Sequence, residues 1–142
     1  MLFLFDFDLT LVSARGRLPR MTRYALRWII DAGHEVGIVT NNRLAPTMIS
    51  ELGLRSTVPI DRIVVSTSKY ECRTDLVARW FNLVQSGAVT PFFYFDDLES
   101  QVDAVKTTFA GICGDAYHID DIQILYKCIG QCLKAIHVPN PV

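Results

Sequence analysis

Four short apolar segments, each followed directly by polar side chains, constrain the fold of this chain more than any other feature. They are Leu2 to Asp6, Val36 to Val39, Ile63 to Val65 and Phe92 to Phe95. Short apolar runs of this length, bounded by turn-forming or polar residues, are typical of strands buried on both faces of a sheet. A weaker fifth strand is predicted at Gly111 to Cys113.

The stretches between these strands have helical periodicity. The first helix is predicted from Arg20 to near Gly33, with an apolar face made by Met21, Tyr24, Ala25, Trp28, Ile29 and Ala32. Later helices are predicted at about Leu44 to Leu52, from Ser66–Ser68 to near Gly87, at Glu99 to Thr107 and at Asp120 to Ile136. Alternating strands and helices predict an α/β fold, a three-layer Rossmann-like parallel sheet with helices on both faces. No composition break marks a linker, so one domain is expected over residues 1–142.

Composition excludes several classes of protein. Half of the residues are hydrophobic and the net charge is −1, which excludes a disordered chain and gives no overall basic excess. No apolar segment approaches the ~20 residues of a membrane helix, and the N-terminus lacks the features of a signal peptide. An intracellular, cytoplasmic location with reduced thiols is therefore expected. The mean hydropathy of +0.24 indicates a strongly buried sheet or apolar surface covered by a partner, such as a second copy in a homodimer.

Polar residues follow each of the four strands. Asp6, Thr40, the segment Ser66 to Lys69, and the pair Asp96–Asp97 all stand where a strand ends. In open α/β sheets this carboxyl edge is where ligands bind. Carboxylates brought together there repel each other unless a cation lies among them, and Mg²⁺ prefers such oxygen ligands. Taken singly, acidic residues at strand ends more often only cap the following turn.

Four motifs in chain order carry a resemblance to a known family. Asp6-Phe7-Asp8-Leu9-Thr10 resembles the first motif of the haloacid dehalogenase (HAD) superfamily, and the segment Gly37 to Asn42 resembles the second. Lys69 resembles the third motif, and Phe93 to Asp97 the fourth. The resemblance covers about residues 1–113 and is to small phosphatases without a cap domain. It implies a Mg²⁺-dependent phosphate monoester hydrolase with an aspartyl-phosphate intermediate.

The resemblance also implies a role for each matching residue. Asp6 would be the nucleophile, and Asp8 the acid and then the base. Thr40, with Asn41, would bind the phosphoryl oxygens, and Lys69 would neutralise their charge. The Mg²⁺ ligands would be Asp6, Asp8 through its main-chain carbonyl, Asp97, and Asp96 directly or through water. Simpler interpretations stay open: a helix cap for Thr40 and a solvated side chain for Lys69. Arg73 is a competing cation one turn later.

The chain leaves no room for a cap domain. The gaps after Thr10 and after Val65 are both too short for one, so an open site is expected. Such a site favours a macromolecular phosphate, either a nucleic-acid end or a phosphoprotein. Arg15 and Arg17, in the loop after Asp8, would form a basic lip that gathers the substrate. Arg23 and Arg27, further along, are better explained as a solvated helix face.

Two alternatives to a hydrolase stay open on the sequence. One is a catalytically idle HAD-like binding module, and the other is a phosphotransferase with an acceptor other than water.

Trp28, Trp80 and Phe81 are predicted to make core or dimer contacts rather than to stack on bases. Cys128 and Cys132 are predicted to be small buried apolar residues rather than a metal pair.

Overall fold

The computed structural model describes residues 1–68 and 70–137, and its centre is a parallel sheet of five strands. The strands are β1 (Leu2–Phe5), β2 (Glu35–Thr40), β3 (Ile63–Val65), β4 (Phe92–Asp96) and β5 (Cys113–His118). They lie in the order β3-β2-β1-β4-β5. In the register of the central strands, Phe5 lies opposite Ile38 on one side and Phe95 on the other. The residues that follow Phe5 therefore emerge at the middle of the carboxyl edge.

Helices cover both faces of the sheet, as predicted. They are α1 (Arg20–Asp31), α2 (Ala45–Glu51), α3 (Arg73–Val84), α4 (Glu99–Thr108) and α5 (Leu125–His137), with 3₁₀ turns at Ile60–Arg62 and Ile122–Ile124. One core packs α1, α2 and α5 against Phe3 and Phe5. The other packs α3 and α4 against Leu2 and Leu4. Successive residues of β1 thus point to opposite layers, which explains why the strand is apolar throughout.

Three element boundaries differ by several residues from the sequence prediction. Helix α5 begins at Leu125, after a 3₁₀ turn at Ile122–Ile124, whereas the prediction began it at Asp120. The fifth strand begins at Cys113, where the prediction had it end, because β5 is an edge strand whose side chains are mostly half-exposed and include Asp115. Helix α3 begins at Arg73 rather than directly after Ser68. The serine hydroxyls are used within the loop instead: Ser66 Oγ accepts from the Ser68 amide, and Ser68 Oγ from the Tyr70 amide.

The predicted apolar face of α1 is wrong in part. Met21, Tyr24 and Trp28 are 47%, 60% and 49% exposed, while the buried residues are Thr22, Ala25, Leu26 and Ile29. The helix carries two adjacent apolar stripes, and the one with smaller side chains faces the sheet. Trp80 and Phe81 are buried in the core, as predicted.

Both cysteines of the last helix pack against the core. Cys132 is buried, as predicted, and Cys128 is half-buried against the same apolar cluster. All four cysteines, which lie within the described residues, are free thiols. No helix in the described part of the chain is long and apolar enough to cross a membrane.

Candidate active site

Three carboxylates meet at the carboxyl edge of the two central strands. Asp6 follows β1, Asp96 ends β4, and Asp97 comes next. One carboxylate oxygen from each lies within 4.8 Å of the others. Asp6 is 2% exposed and Asp96 is fully buried, whereas Asp97 is partly open to solvent. The convergence of these three residues, predicted from strand order, is therefore present.

Arg73 is the cation that contacts this cluster. Its Nη2 lies 3.3 Å from Asp6 Oδ1, and its Nε donates to Asp96 Oδ2 at 3.0 Å. The Arg73 amide donates to Gln101 Oε1 at 3.1 Å, which ties the start of α3 to α4. Lys69, the residue that the sequence assigned to this charge, lies outside the described residues.

A signal for Arg73 was present in the sequence. A positive side chain in the first turn of a helix is slightly unfavourable beside the positive end of the helix dipole, which suggests another reason for its position. That argument applies to Arg73, the first residue of α3, at least as well as to Lys69.

Tyr94 hydrogen-bonds to the carboxylate cluster through Asp96, a contact that the sequence analysis did not predict. Its hydroxyl donates to Asp96 Oδ2 at 2.5 Å, and the Leu98 amide donates to Asp96 Oδ1 at 3.0 Å. Asp96 thus accepts three hydrogen bonds, which orient it toward Arg73. The spacing gave a signal, since residues two apart on a strand point to the same side. Burial holds the pKa of Tyr94 well above its ordinary value, so the hydroxyl keeps its proton and remains a donor.

The described residues leave the carboxylate cluster short of positive charge. Burial and then the charge of Asp96 raise the pKa of Asp6 well above its ordinary value, and Arg73 only partly opposes them. Burial also raises the pKa of Asp96. Within residues 1–68 and 70–137, one guanidinium pairs with two of the three carboxylates, so a divalent cation beside Asp6, Asp96 and Asp97 would relieve the remaining repulsion. The oxygen donors and the open side at Asp97 fit Mg²⁺, which keeps several waters.

Asp8 stands apart from the three clustered carboxylates. It is exposed, and Asn42 Nδ2 donates to its Oδ1 at 3.3 Å. The turn after it is tight: Leu9 has a φ of 62°, a strained conformation for a residue other than glycine. Thr10 Oγ1 donates to Asp6 Oδ2 at 3.3 Å and so ties this turn to the end of β1. The loop therefore holds Asp6 inward and leaves Asp8 accessible.

Thr40 and Asn42 organise the loop after β2. Thr40 is 1% exposed, and its Oγ1 accepts from the Asn42 amide at 2.9 Å. Asn42 Oδ1 in turn accepts from the Leu44 amide at 2.9 Å. Helix α2 starts after Leu44 without a side-chain cap, so Thr40 is not its N-cap. The Thr40 hydroxyl proton is still available to a ligand.

Two open cavities are lined by residues that follow the carboxyl ends of the strands. One, of about 350 Å³, is lined by Asn41, Arg43, Ser66 and Ser68. The other, of about 320 Å³, has Asp97 and Leu9 in its wall. Arg15 and Arg17 are exposed in the turn between Ser13 and Leu18, and no ion pair joins either guanidinium to the described residues. They are thus close in sequence to Asp8 without contacting the carboxylate cluster.

Comparison with known proteins does not assign a family. No family model and no curated protein matches the chain. One solved structure aligns over 98% of this chain and 98% of its own length at 12% identity, with a TM-score of 0.49. A likeness this distant says nothing about activity, so the site must be judged on its own geometry.

Proposed function

We propose that the protein is a Mg²⁺-dependent phosphate monoester hydrolase that acts through an aspartyl-phosphate. The observation that carries this proposal is the position of Asp6, a buried carboxylate at the centre of the sheet edge, beside Arg73 and two further carboxylates. The four motifs that resemble the HAD superfamily add to it. A screen of phosphorylated metabolites, peptides and oligonucleotides with Mg²⁺ tests the proposal, which requires release of inorganic phosphate that depends on Asp6.

In the first step Asp6 attacks phosphorus through a carboxylate oxygen. A bond forms between that oxygen and phosphorus while the bond from phosphorus to the ester oxygen breaks. Asp8, protonated, gives its proton to the departing oxygen. Arg73 and Thr40 would stabilise charge on the phosphoryl oxygens, together with Asn41 and, by the resemblance, Lys69. A magnesium ion, when bound, supplies positive charge to the phosphoryl group and offsets the carboxylates.

In the second step Asp8 acts as the base. It takes a proton from water as the water oxygen attacks phosphorus, and the bond to Asp6 breaks, releasing inorganic phosphate. The exposed position of Asp8 supports this role, because it must meet both the leaving group and water. Its hydrogen bond from Asn42 orients the carboxylate.

Replacing Asp8 with Asn should slow turnover most for substrates whose leaving group must be protonated. We expect turnover of alkyl phosphates to fall by about 10²- to 10⁴-fold, the usual contribution of general acid catalysis. Formation of the intermediate from an aryl phosphate with an acidic phenol should fall far less. A burst of phenol, followed by slow turnover, would separate the two steps. Equal losses in both steps for both esters would contradict the assignment of Asp8.

Metal removal should abolish activity. We expect full loss of phosphatase activity on chelation, recovery with added Mg²⁺, and a raised Mg²⁺ requirement of about tenfold or more in Asp97→Ala, since that variant loses one oxygen ligand. Asp103→Ala, an exposed carboxylate on α4, is the matched control and should leave the requirement unchanged. Full activity in chelated protein would show that the carboxylates serve another purpose.

The proposal also covers the size of the substrate and the cellular location of the protein. Between Thr10 and α1, and between β3 and α3, the described residues contain no inserted domain, which supports an open site for a nucleic-acid end or a phosphoprotein. The free thiols support a cytoplasmic location. A phosphotransferase would instead release little phosphate in water and form a new ester with an added acceptor, and an idle binding module would bind phosphate without turnover.

A further inference from the structure

A groove between α1 and α5 combines aromatic and basic side chains. It has a volume of about 340 Å³, and its wall contains Trp28 from α1 and Tyr126, Lys127, Gly130 and Lys134 from α5. A Cβ built on Gly130 would lie 3.6 Å from the Trp28 ring, an ordinary van der Waals distance, so the indole lies against α5 at this position. The groove is separate from the carboxylate cluster.

The aromatic side chains here are unusually open to solvent. Trp28 is 49% exposed and Tyr24, one turn earlier on α1, is 60% exposed. Lys127 Nζ lies 6.0 Å from the centre of the Tyr126 ring. Exposed rings beside cations are the two components of a surface that stacks bases and contacts a phosphate backbone.

The charged side chains in the wall of the groove are all positive. They are Lys127 and Lys134, and no acidic residue is among the described residues that line it. The one acidic residue on either helix, Asp31, is already paired with Arg27 at 3.1 Å. This surface complements a polyanion. A second copy placed on it by two-fold symmetry would set these positive groups against each other.

We propose that the α1–α5 groove binds single-stranded nucleic acid, with bases stacked on Trp28 and Tyr24 and backbone phosphates at Lys127 and Lys134. Arg20 begins α1 at the end of the loop that carries Arg15 and Arg17, about 12 Å along the helix from Trp28. A strand in the groove is thereby directed toward the loop that follows Asp8. Binding does not depend on the chemistry proposed above; only the claim that the bound strand carries the phosphate attacked by Asp6 rests on that function.

The two tryptophans make binding directly measurable. Trp80 is buried and Trp28 is the other tryptophan of the chain, so quenching of exposed tryptophan fluorescence reports on the groove. We expect a single-stranded oligonucleotide without a terminal phosphate to quench Trp28 at low salt. Lys127→Ala with Lys134→Ala should lower the slope of log affinity against log salt by about 1.4, because each phosphate contact on a single strand contributes about 0.7. Trp28→Ala should weaken binding, measured by anisotropy of a labelled oligonucleotide, by about tenfold or more.

Matched controls keep the result interpretable. Lys106→Ala with Arg55→Ala removes two exposed charges outside the groove and should leave affinity nearly unchanged. The proposal would be overturned if this control weakened binding as much as the lysine variants do, or if the oligonucleotide did not quench Trp28. It would also be overturned if duplex bound as tightly as a single strand, or if polyglutamate competed as well as a single strand. Self-association through the groove that excludes the oligonucleotide would do so as well. Asp6→Asn should bind like the unmodified protein, so loss of turnover and loss of binding are distinguished.

Discussion

Replacing Asp6 with Asn should lower phosphatase turnover by at least about 10⁴-fold, comparable to the loss when other enzymes lose their nucleophile. The amide oxygen can still accept from Arg73 and Thr10, so the fold should persist. Because burial and Asp96 disfavour a charge on Asp6, the free energy of unfolding without metal should be unchanged or higher in the variant. Thermal unfolding and steady-state kinetics on the same samples measure both effects.

Asp31→Asn is the control for this experiment. Asp31 is an exposed carboxylate on α1 that pairs with Arg27, so its loss should change neither turnover nor stability appreciably. Substantial activity in folded Asp6→Asn would show that another group attacks phosphorus.

The second large effect is expected at Arg73. Arg73→Met keeps an unbranched side chain over the first four heavy atoms but leaves Asp6 and Asp96 without their shared cation. Breaking a buried ion pair in this way costs about 3–5 kcal/mol of stability. Turnover should also fall by about 10²- to 10³-fold, because a preorganised charge beside the phosphoryl group is lost. Urea unfolding and kinetics in saturating Mg²⁺ measure the two losses separately.

Two further variants identify the cause of the Arg73 effect. Adding Asp96→Asn to Arg73→Met removes one uncompensated charge and should restore part of the stability without restoring turnover. Arg62→Met breaks a more exposed pair with Glu35 and should cost less than about 1 kcal/mol. Unchanged stability in Arg73→Met would mean that the observed contacts with the two carboxylates contribute little.

The sequence predicted strands β1 to β4 because each is a continuous apolar run, including the edge strand β3, which consists only of Ile and Val. It failed for the other edge strand, β5, because half-exposed residues such as Asp115 and the small Gly114 remove the apolar signal there. It failed for the outer side of α1, because Tyr24 and Trp28 have helical spacing and only the packing decides which of two stripes is buried.

At the site, strand order alone brought Asp6, Asp96 and Asp97 to one edge, and the register confirms that placement. Arg73 and Tyr94 were not assigned, for a physical reason. Their roles depend on where α3 begins and on which way a buried side chain points, and neither is fixed by local spacing. A long side chain such as that of Arg73 has many allowed rotamers, and its contacts in the folded protein determine which one it adopts.

The most direct test of the account is the stereochemistry of hydrolysis at phosphorus. A phosphorothioate monoester made chiral with oxygen isotopes would be hydrolysed in water carrying a third isotope, and the configuration of the product determined. Attack by Asp6 followed by attack of water comprises two in-line displacements, so the account predicts net retention. Net inversion would mean that water attacks phosphorus directly and would contradict the aspartyl-phosphate.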